Sequence, residues 1–98
     1  MDTNVSEVFS GLIEALELVR DAVMAKDKEE GMATATFYLL KYIQAFGHDQ
    51  DLFARTYPLL EELKTSIETE EFDNALGIVL AQLVQYRQII NGPNSEDS

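Results

Sequence analysis

The chain contains no cysteine, so it cannot form a disulfide framework, a thiolate metal site or a cysteine nucleophile. It also has no apolar run that approaches the roughly 18 residues of a membrane-spanning helix. Its first residues, MDTNVSEVF, are acidic and polar, where a signal peptide would be basic and then apolar. From these absences we expect a cytoplasmic protein.

Basic residues are scarce, with 7 Lys and Arg against 18 Asp and Glu and a formal net charge of −11. A field of that sign repels phosphate backbones and anionic lipid headgroups, so neither nucleic acid nor a membrane is an expected partner. The excess of acid has two explanations: it keeps the chain soluble, or it attracts a basic protein partner. The sequence leaves both open.

Motifs that carry chemistry are also missing. The five glycines are scattered, so there is no phosphate-binding loop, and no serine nucleophile elbow is present. The single histidine, His48, precedes Asp49, Gln50 and Asp51. This group could supply metal ligands, but we expect a solvated turn in which Asp49 or Asp51 caps the next helix. We expect no enzyme, no metal and no cofactor.

The chain does show helical periodicity, most clearly near its end. There, apolar residues fall along one line of a helix, widened on both flanks. This stripe consists of Phe72, Ala75, Leu76, Val79, Leu83, Tyr86 and Ile90. Thr69 is the expected N-cap, and Gly92-Pro93 is the expected stop. The pattern predicts a helix that is buried over more than half of its circumference.

Three further helices are predicted upstream. Asn4 with Glu7 and Asp27 with Glu30 match the capping box, which starts a helix. Pro58 interrupts the third periodic segment, so we expect a kink or a restart there. The expected helices span about 5–26, 28–46, 49–68 and 70–91.

Short connections make neighbouring helices antiparallel, so the sequence predicts an all-α, four-helix, up-down bundle. Residues 1–92 would form its single domain and residues 93–98 a disordered tail. One leucine from each helix is expected to meet in the core: Leu16, Leu39, Leu63 and Leu83.

The two halves of the chain resemble each other. Residues 11–19 match residues 58–66 at a shift of 47, and the second helix matches the fourth at a shift of 44. Such matches indicate either a duplicated helical hairpin or the shared periodicity of unrelated helices. A true duplication would give a pseudo-twofold molecule.

The segment EFDNAL at residues 71–76 resembles the turn into the second helix of a tetratricopeptide repeat. The Trp and Leu-Gly signature of that family is absent, and a spacing of 44 exceeds its repeat of roughly 34 residues. We interpret the likeness as convergent hairpin chemistry and assign no family.

Three sets of residues are candidates for partner binding. Aromatic residues off the second helix's apolar stripe line either a docking site or the core: Phe37, Tyr38 and Tyr42. The wide apolar arc of the fourth helix forms either a homodimer contact or a wider core, through Leu80 and Val84 on one flank or Ile78 and Ile89 on the other. A crowded acidic face is either solvated or docks a basic partner: Glu61, Glu62, Glu68 and Glu71.

With these exclusions, the leading hypothesis is a small acidic protein-binding module, an adaptor or chaperone-like protein. The alternative is an immunity-type or antitoxin-like inhibitor whose carboxylates block a basic enzyme. The expected partner is another protein or a second copy of this chain.

Overall fold

The computed structural model describes residues 2–91, with side chains described for residues 7–90. This part of the chain is four α-helices without a strand, so the all-α prediction is confirmed. The helices are α1 (Asp2–Met24), α2 (Lys28–Phe46), α3 (Gln50–Glu68) and α4 (Phe72–Asn91). None of them is both long and apolar enough to cross a membrane. The predicted tail and the Gly92-Pro93 stop lie outside the described residues.

Each helix packs on two neighbours, so the four form a bundle: α1 and α3 each contact both α2 and α4. The Phe9 ring, near the start of α1, lies 5.5 Å from the Phe46 ring near the end of α2. It also lies 5.5 Å from the Tyr86 ring near the end of α4. At the opposite end of the bundle, Asn74 in the first turn of α4 donates to Ser66 in the last turn of α3. Successive helices are therefore antiparallel.

The aspartate caps of α2 and α3 form as predicted. The Asp27 carboxylate accepts from the Glu30 backbone N–H at 3.1 Å. The Asp49 carboxylate accepts from the Leu52 backbone N–H, also at 3.1 Å. Each bond satisfies an N–H that has no partner inside the helix. The solvated-turn explanation of the residues after His48 thus holds for Asp49.

Two predicted N-caps are wrong, and the predicted restart at Pro58 does not occur. The first helix begins at Asp2, so Asn4 lies inside it and is not an N-cap. The third helix runs without a break through Pro58, since aromatic packing before it and buried leucines after it hold both sides in one helix. Thr69 is the C-cap of α3, and its hydroxyl donates back to the Thr65 carbonyl at 2.9 Å. The fourth helix therefore begins at Phe72.

Leucines from three helices meet in the core as predicted. Leu16, Leu63 and Leu83 are at most 1% exposed. Leu39 is only partly buried at the edge of this cluster, because α2 turns its tyrosines inward instead. Tyr38 is 1% exposed and takes the central place expected for Leu39.

The α1–α2 and α3–α4 turns are built alike. Lys26 (φ 56°) and Glu70 (φ 64°) both adopt the left-handed conformation. The next residue in each turn donates its backbone N–H to the carbonyl five residues back: Asp27 to Ala22 at 2.9 Å, and Glu71 to Ser66 at 2.7 Å. This is the Schellman C-cap, formed twice at a spacing of 44 residues.

The same spacing relates the cores of the two hairpins. Residues that are buried in the first hairpin match buried residues 44 positions later in the second. The pairs include Leu16 with Leu60, Val19 with Leu63, Val23 with Ile67, Ala35 with Val79, and Tyr42 with Tyr86. A single shift of 44 thus relates both helices of each hairpin, and the shift of 47 predicted for the first and third helices is wrong. The two hairpins therefore repeat the same turn and much of the same pattern of buried positions.

The two left-handed turn residues yield the first testable prediction. Lys26→Gly and Glu70→Gly should each raise the free energy of unfolding by about 0.5–1 kcal/mol. A residue with a side chain in the left-handed conformation destabilises the folded state by about 1–2 kcal/mol, and glycine avoids this strain. Glycine also gives the unfolded chain more conformational freedom, which offsets part of the stabilisation. Midpoints of urea unfolding measure the change. Lys28→Gly, in the first turn of α2, is the control and should lower the midpoint; a lower midpoint in both turn variants would contradict the assignment of strain.

Candidate functional site

The three predicted aromatic site residues do not share a surface. Tyr38 and Tyr42 are 1% and 2% exposed and belong to the core, so their prediction as exposed docking residues is wrong. The buried face of α2 follows Thr34, Tyr38 and Tyr42 at four-residue steps, not the larger aliphatic residues. Phe37 is 45% exposed, as a docking residue should be.

The two flanks of α4 also differ. Leu80 and Val84 are 44% and 54% exposed and form a surface patch. On the other flank Ile78 is buried in the core, while Ile89 is 53% exposed. The flank with Leu80 and Val84 is therefore the one on which two neighbouring apolar side chains are exposed to solvent.

The acidic face lies at the surface where the sequence suggests. Glu61, Glu62, Glu68 and Glu71 are all exposed. Glu62 accepts a hydrogen bond from the Asn74 side chain at 3.1 Å, across the α3–α4 boundary. Among the side chains of residues 7–90, no three His, Asp or Glu groups come close enough together to hold a metal ion.

Acidic residues are distributed unevenly over the fold. None occurs between Gly31 and His48 or between Asn74 and Asn91, so α2 after its first turn and α4 after Asp73 are free of them. The outer face of α2 is exposed, uncharged and largely apolar, and comprises Ala33, Thr36, Phe37, Leu40, Ile43 and Gln44. In a chain of charge −11, this face lacks the charge that keeps the other surfaces solvated.

A groove runs between this part of α2 and α1. A cavity of about 210 Å³ lies in it, lined by Val8 and Gly11 from α1 and by Lys41 and Gln44 from α2, among others. A methyl group added to Gly11 would meet no atom within 4 Å, so this part of the floor is open.

The sides of α1 and α2 that line this cavity continue beyond it along both helices. Phe9 contacts Phe46, and the two helices are antiparallel. Leu18 follows Phe9 by about the same number of residues as Phe37 precedes Phe46, so Leu18 lies level with Phe37. Leu18 is on the same side of α1 as Gly11, seven residues earlier, and Phe37 is on the same side of α2 as Lys41 and Gln44. We call this set, Val8, Gly11, Leu18, Phe37, Lys41 and Gln44, the α1–α2 groove.

The apolar residues of the groove are substantially exposed: Leu18 by 50%, Phe37 by 45% and Val8 by 39%. The Lys41 ammonium lies 5.4 Å from the centre of the Phe37 ring, in range of a cation–π interaction. The arrangement suits the binding of an apolar surface.

The equivalent groove of the second hairpin is not apolar. At positions 44 residues later, Leu18 is replaced by Glu62, Phe37 by Ala81 and Gly11 by Arg55. Glu62 is also engaged by Asn74. The two hairpins thus have buried residues at equivalent positions but differ in their surface residues. The apolar groove is therefore a property of the first hairpin alone.

Comparisons of the chain with protein-family models, with curated proteins and with solved structures find no match in any of the three.

A buried polar cluster connects α2 and α4, and sequence reasoning missed it. The Tyr38 hydroxyl donates to the Gln82 side-chain oxygen at 2.8 Å and lies 2.8 Å from the Tyr86 hydroxyl, which therefore donates to it. Burial raises the pKa of Tyr86 to about 12. Burial likewise raises the pKa of Tyr38 far above its usual value, with Tyr86 adding to the shift. Both hydroxyls are neutral at physiological pH.

Tyr42, by contrast, has a hydroxyl that is buried without a hydrogen-bond partner among the described residues. Burial raises its pKa, and the nearby Thr56 hydroxyl partly offsets that effect without forming a hydrogen bond of good geometry. A buried hydroxyl without a partner is uncommon in folded proteins and calls for an explanation.

Proposed function

We propose that this chain is a non-enzymatic, cytoplasmic protein-binding module, an adaptor or chaperone-like protein, that holds an apolar helical segment of another protein in the α1–α2 groove. The observation that carries the proposal is the exposure of Leu18 and Phe37, which the helix register places level with each other on the sides of α1 and α2 that line the cavity. Exposed apolar residues that line a concave surface are typical of sites that bind protein. The divergence of the equivalent groove in the second hairpin supports a specific role for the first.

The charges around the groove suggest the chemistry of the partner segment. Glu14 and Asp21 lie four residues before and three residues after Leu18 on α1, so they border the groove, and both are exposed. An amphipathic helix with an apolar stripe and flanking Lys or Arg would complement this surface. From Val8 to Leu18 the groove is about 15 Å long, which accommodates about three turns of such a helix.

A pair of designed peptides tests the proposal. Both are amphipathic helices of about fourteen residues with the same leucine stripe, and they differ only in having Lys or Glu on the flanks. We expect the Lys peptide to bind more tightly, as measured by fluorescence anisotropy. Leu18→Ala with Phe37→Ala should weaken that binding at least tenfold and leave the thermal midpoint nearly unchanged, because both side chains are about half exposed.

The matched control is Leu80→Ala with Val84→Ala, which removes two equally exposed apolar side chains from the α4 face. It should leave peptide binding unchanged. If this control variant loses binding while the groove variant keeps it, the docking surface is on α4 and the groove proposal is wrong. If light scattering shows a wild-type dimer that only the control variant dissociates, the α4 face instead binds a second copy of this chain.

The acidic face supports a second candidate function, an immunity-type or antitoxin-like inhibitor of a basic protein. Its carboxylates, Glu61, Glu62, Glu68 and Glu71, are all exposed, and Lys64 is the single base among them. The salt dependence of partner binding separates the two functions. Steep weakening between low and physiological salt favours the inhibitor, and near-indifference favours apolar docking in the groove.

A further inference from the structure

A second cavity lies at the end of the bundle where α1 and α3 begin and α2 and α4 end. Its volume is about 130 Å³, and its lining is mostly apolar. Rings of Phe9, Tyr42, Phe46 and Tyr86 form much of the wall, together with the polar side chains of Thr56 and Gln82. Ile89, at its rim, is 53% exposed, so the cavity reaches the surface between α3 and α4.

Tyr42, whose hydroxyl has no hydrogen-bond partner among the described residues, is one of the residues that line this cavity. Tyr42 is 2% exposed, yet it lines the space and makes no hydrogen bond with its hydroxyl. The spacing of 44 residues between the hairpins shows which bond is missing. Tyr38 corresponds to Gln82, 44 residues later, and Tyr86 corresponds to Tyr42, 44 residues earlier, so the counterpart of the Tyr38–Tyr86 hydrogen bond is a bond between Gln82 and Tyr42. That bond is absent, and both of its would-be partners line the cavity.

The cavity has the size and lining of a site for one small ring. An engineered protein cavity of about 150 Å³ with apolar walls binds benzene. Water would fill the present volume with about four molecules, but the aromatic walls give them few hydrogen-bond partners. Sites for small molecules in proteins are typically apolar pockets with a few placed polar groups, and this cavity presents Tyr42, Thr56 and Gln82.

We infer that this cavity binds a single-ring aromatic compound that bears one hydroxyl or amine, with that polar group bonded to the Tyr42 hydroxyl. The ring would pack among the Phe9, Phe46 and Tyr86 side chains, where offset and edge-to-face contacts between aromatic rings are favourable. The polar group would take the place of the hydrogen bond that the first hairpin's Tyr42 lacks. This site lies outside the α1–α2 groove and does not depend on its role.

Phenol and benzene are the probes, titrated separately and followed by NMR signals of the ring protons. We expect phenol to shift the signals of Phe9, Phe46 and Tyr86 and to bind more tightly than benzene. Tyr42→Phe removes only a hydroxyl that makes no bond, so the variant should fold. It should weaken phenol binding about tenfold and leave benzene binding unchanged, since a lost hydrogen bond is worth about that factor.

Tyr57→Phe is the matched control, because Tyr57 lies on α3 outside the cavity lining and its hydroxyl is next to Glu61. It should bind both probes as the wild type does. The inference is wrong if phenol shifts no signal up to its solubility limit, which would leave water as the occupant of the cavity. It is equally wrong if phenol binds wild type and Tyr42→Phe alike.

Discussion

Leu83→Ala is expected to lower the free energy of unfolding by about 2–5 kcal/mol, the range measured for buried leucine truncations. Leu83 is 1% exposed and belongs to the single hydrophobic core to which all four helices contribute. The substitution removes apolar contacts and leaves a space that neighbouring helices can only partly fill. Urea unfolding followed by circular dichroism at the helix band gives the free energy.

Leu80→Ala, three residues earlier on the same helix, is the matched control. It deletes the same atoms from a side chain that is 44% exposed, so its cost should stay under about 1 kcal/mol. The contrast between the two variants depends only on which face of α4 is buried. Equal losses, or a loss at Leu83 below about 1 kcal/mol, would show that Leu83 does not lie on the buried face of α4.

The helices could be predicted from the sequence because their signals are local. The apolar period of 3.6 residues and the aspartates at Asp27 and Asp49 lie within a few residues of the structure they determine. The wrong predictions concern residues whose local sequence is compatible with two different structures. Thr69 can cap a helix from either end, and the tertiary packing of α3 makes it a C-cap. Pro58 can break a helix, but packing on both sides keeps α3 continuous.

The rotation of α2 was harder to predict. Ranking residues by hydrophobicity alone puts Met32, Leu39 and Ile43 inward, whereas the structure buries Tyr38 and Tyr42 and leaves Ile43 40% exposed. A tyrosine is buried at low cost when its hydroxyl finds a partner, and the partner of Tyr38 comes from another helix. No local pattern contains that information. The polar Gln82 beside the apolar stripe of α4 was the available signal.

The α1–α2 groove was hard to predict for the same reason, because it depends on how α2 is rotated about its axis. Phe37 could be identified from its position off the apolar stripe, but Leu18 could not, because its exposure is set by how α2 packs against α1. The two Schellman turns of the structure align the first hairpin with the second at a spacing of 44 residues. Without this alignment, the surfaces of the two hairpins could not be compared position by position. The structure then separates what the hairpins share, their core, from what distinguishes them, the surface of the α1–α2 groove.

Tyr38→Phe and Tyr42→Phe are expected to change stability in opposite directions, although both delete one buried hydroxyl from the same helix. Tyr38→Phe removes two hydrogen bonds of 2.8 Å and leaves the Gln82 oxygen and the Tyr86 hydroxyl buried without that partner. It should lower the free energy of unfolding by about 1–3 kcal/mol. Tyr42→Phe removes a buried group that has no bond to lose, and should raise the free energy by about 1 kcal/mol.

Urea unfolding of both variants and the wild type, in buffer free of aromatic additives, measures this pair of changes. Tyr57→Phe is again the control for loss of a phenolic hydroxyl, and its effect should stay within about 0.5 kcal/mol since its hydroxyl lies near the surface beside Glu61. A destabilised Tyr42→Phe would mean that its hydroxyl has a partner, such as an ordered water bridging it to Thr56 or Gln82. An unchanged stability of Tyr38→Phe would mean that the cluster between α2 and α4 contributes no net stability. The prediction that the two variants change in opposite directions would then be wrong for Tyr38→Phe, the variant with the larger expected effect.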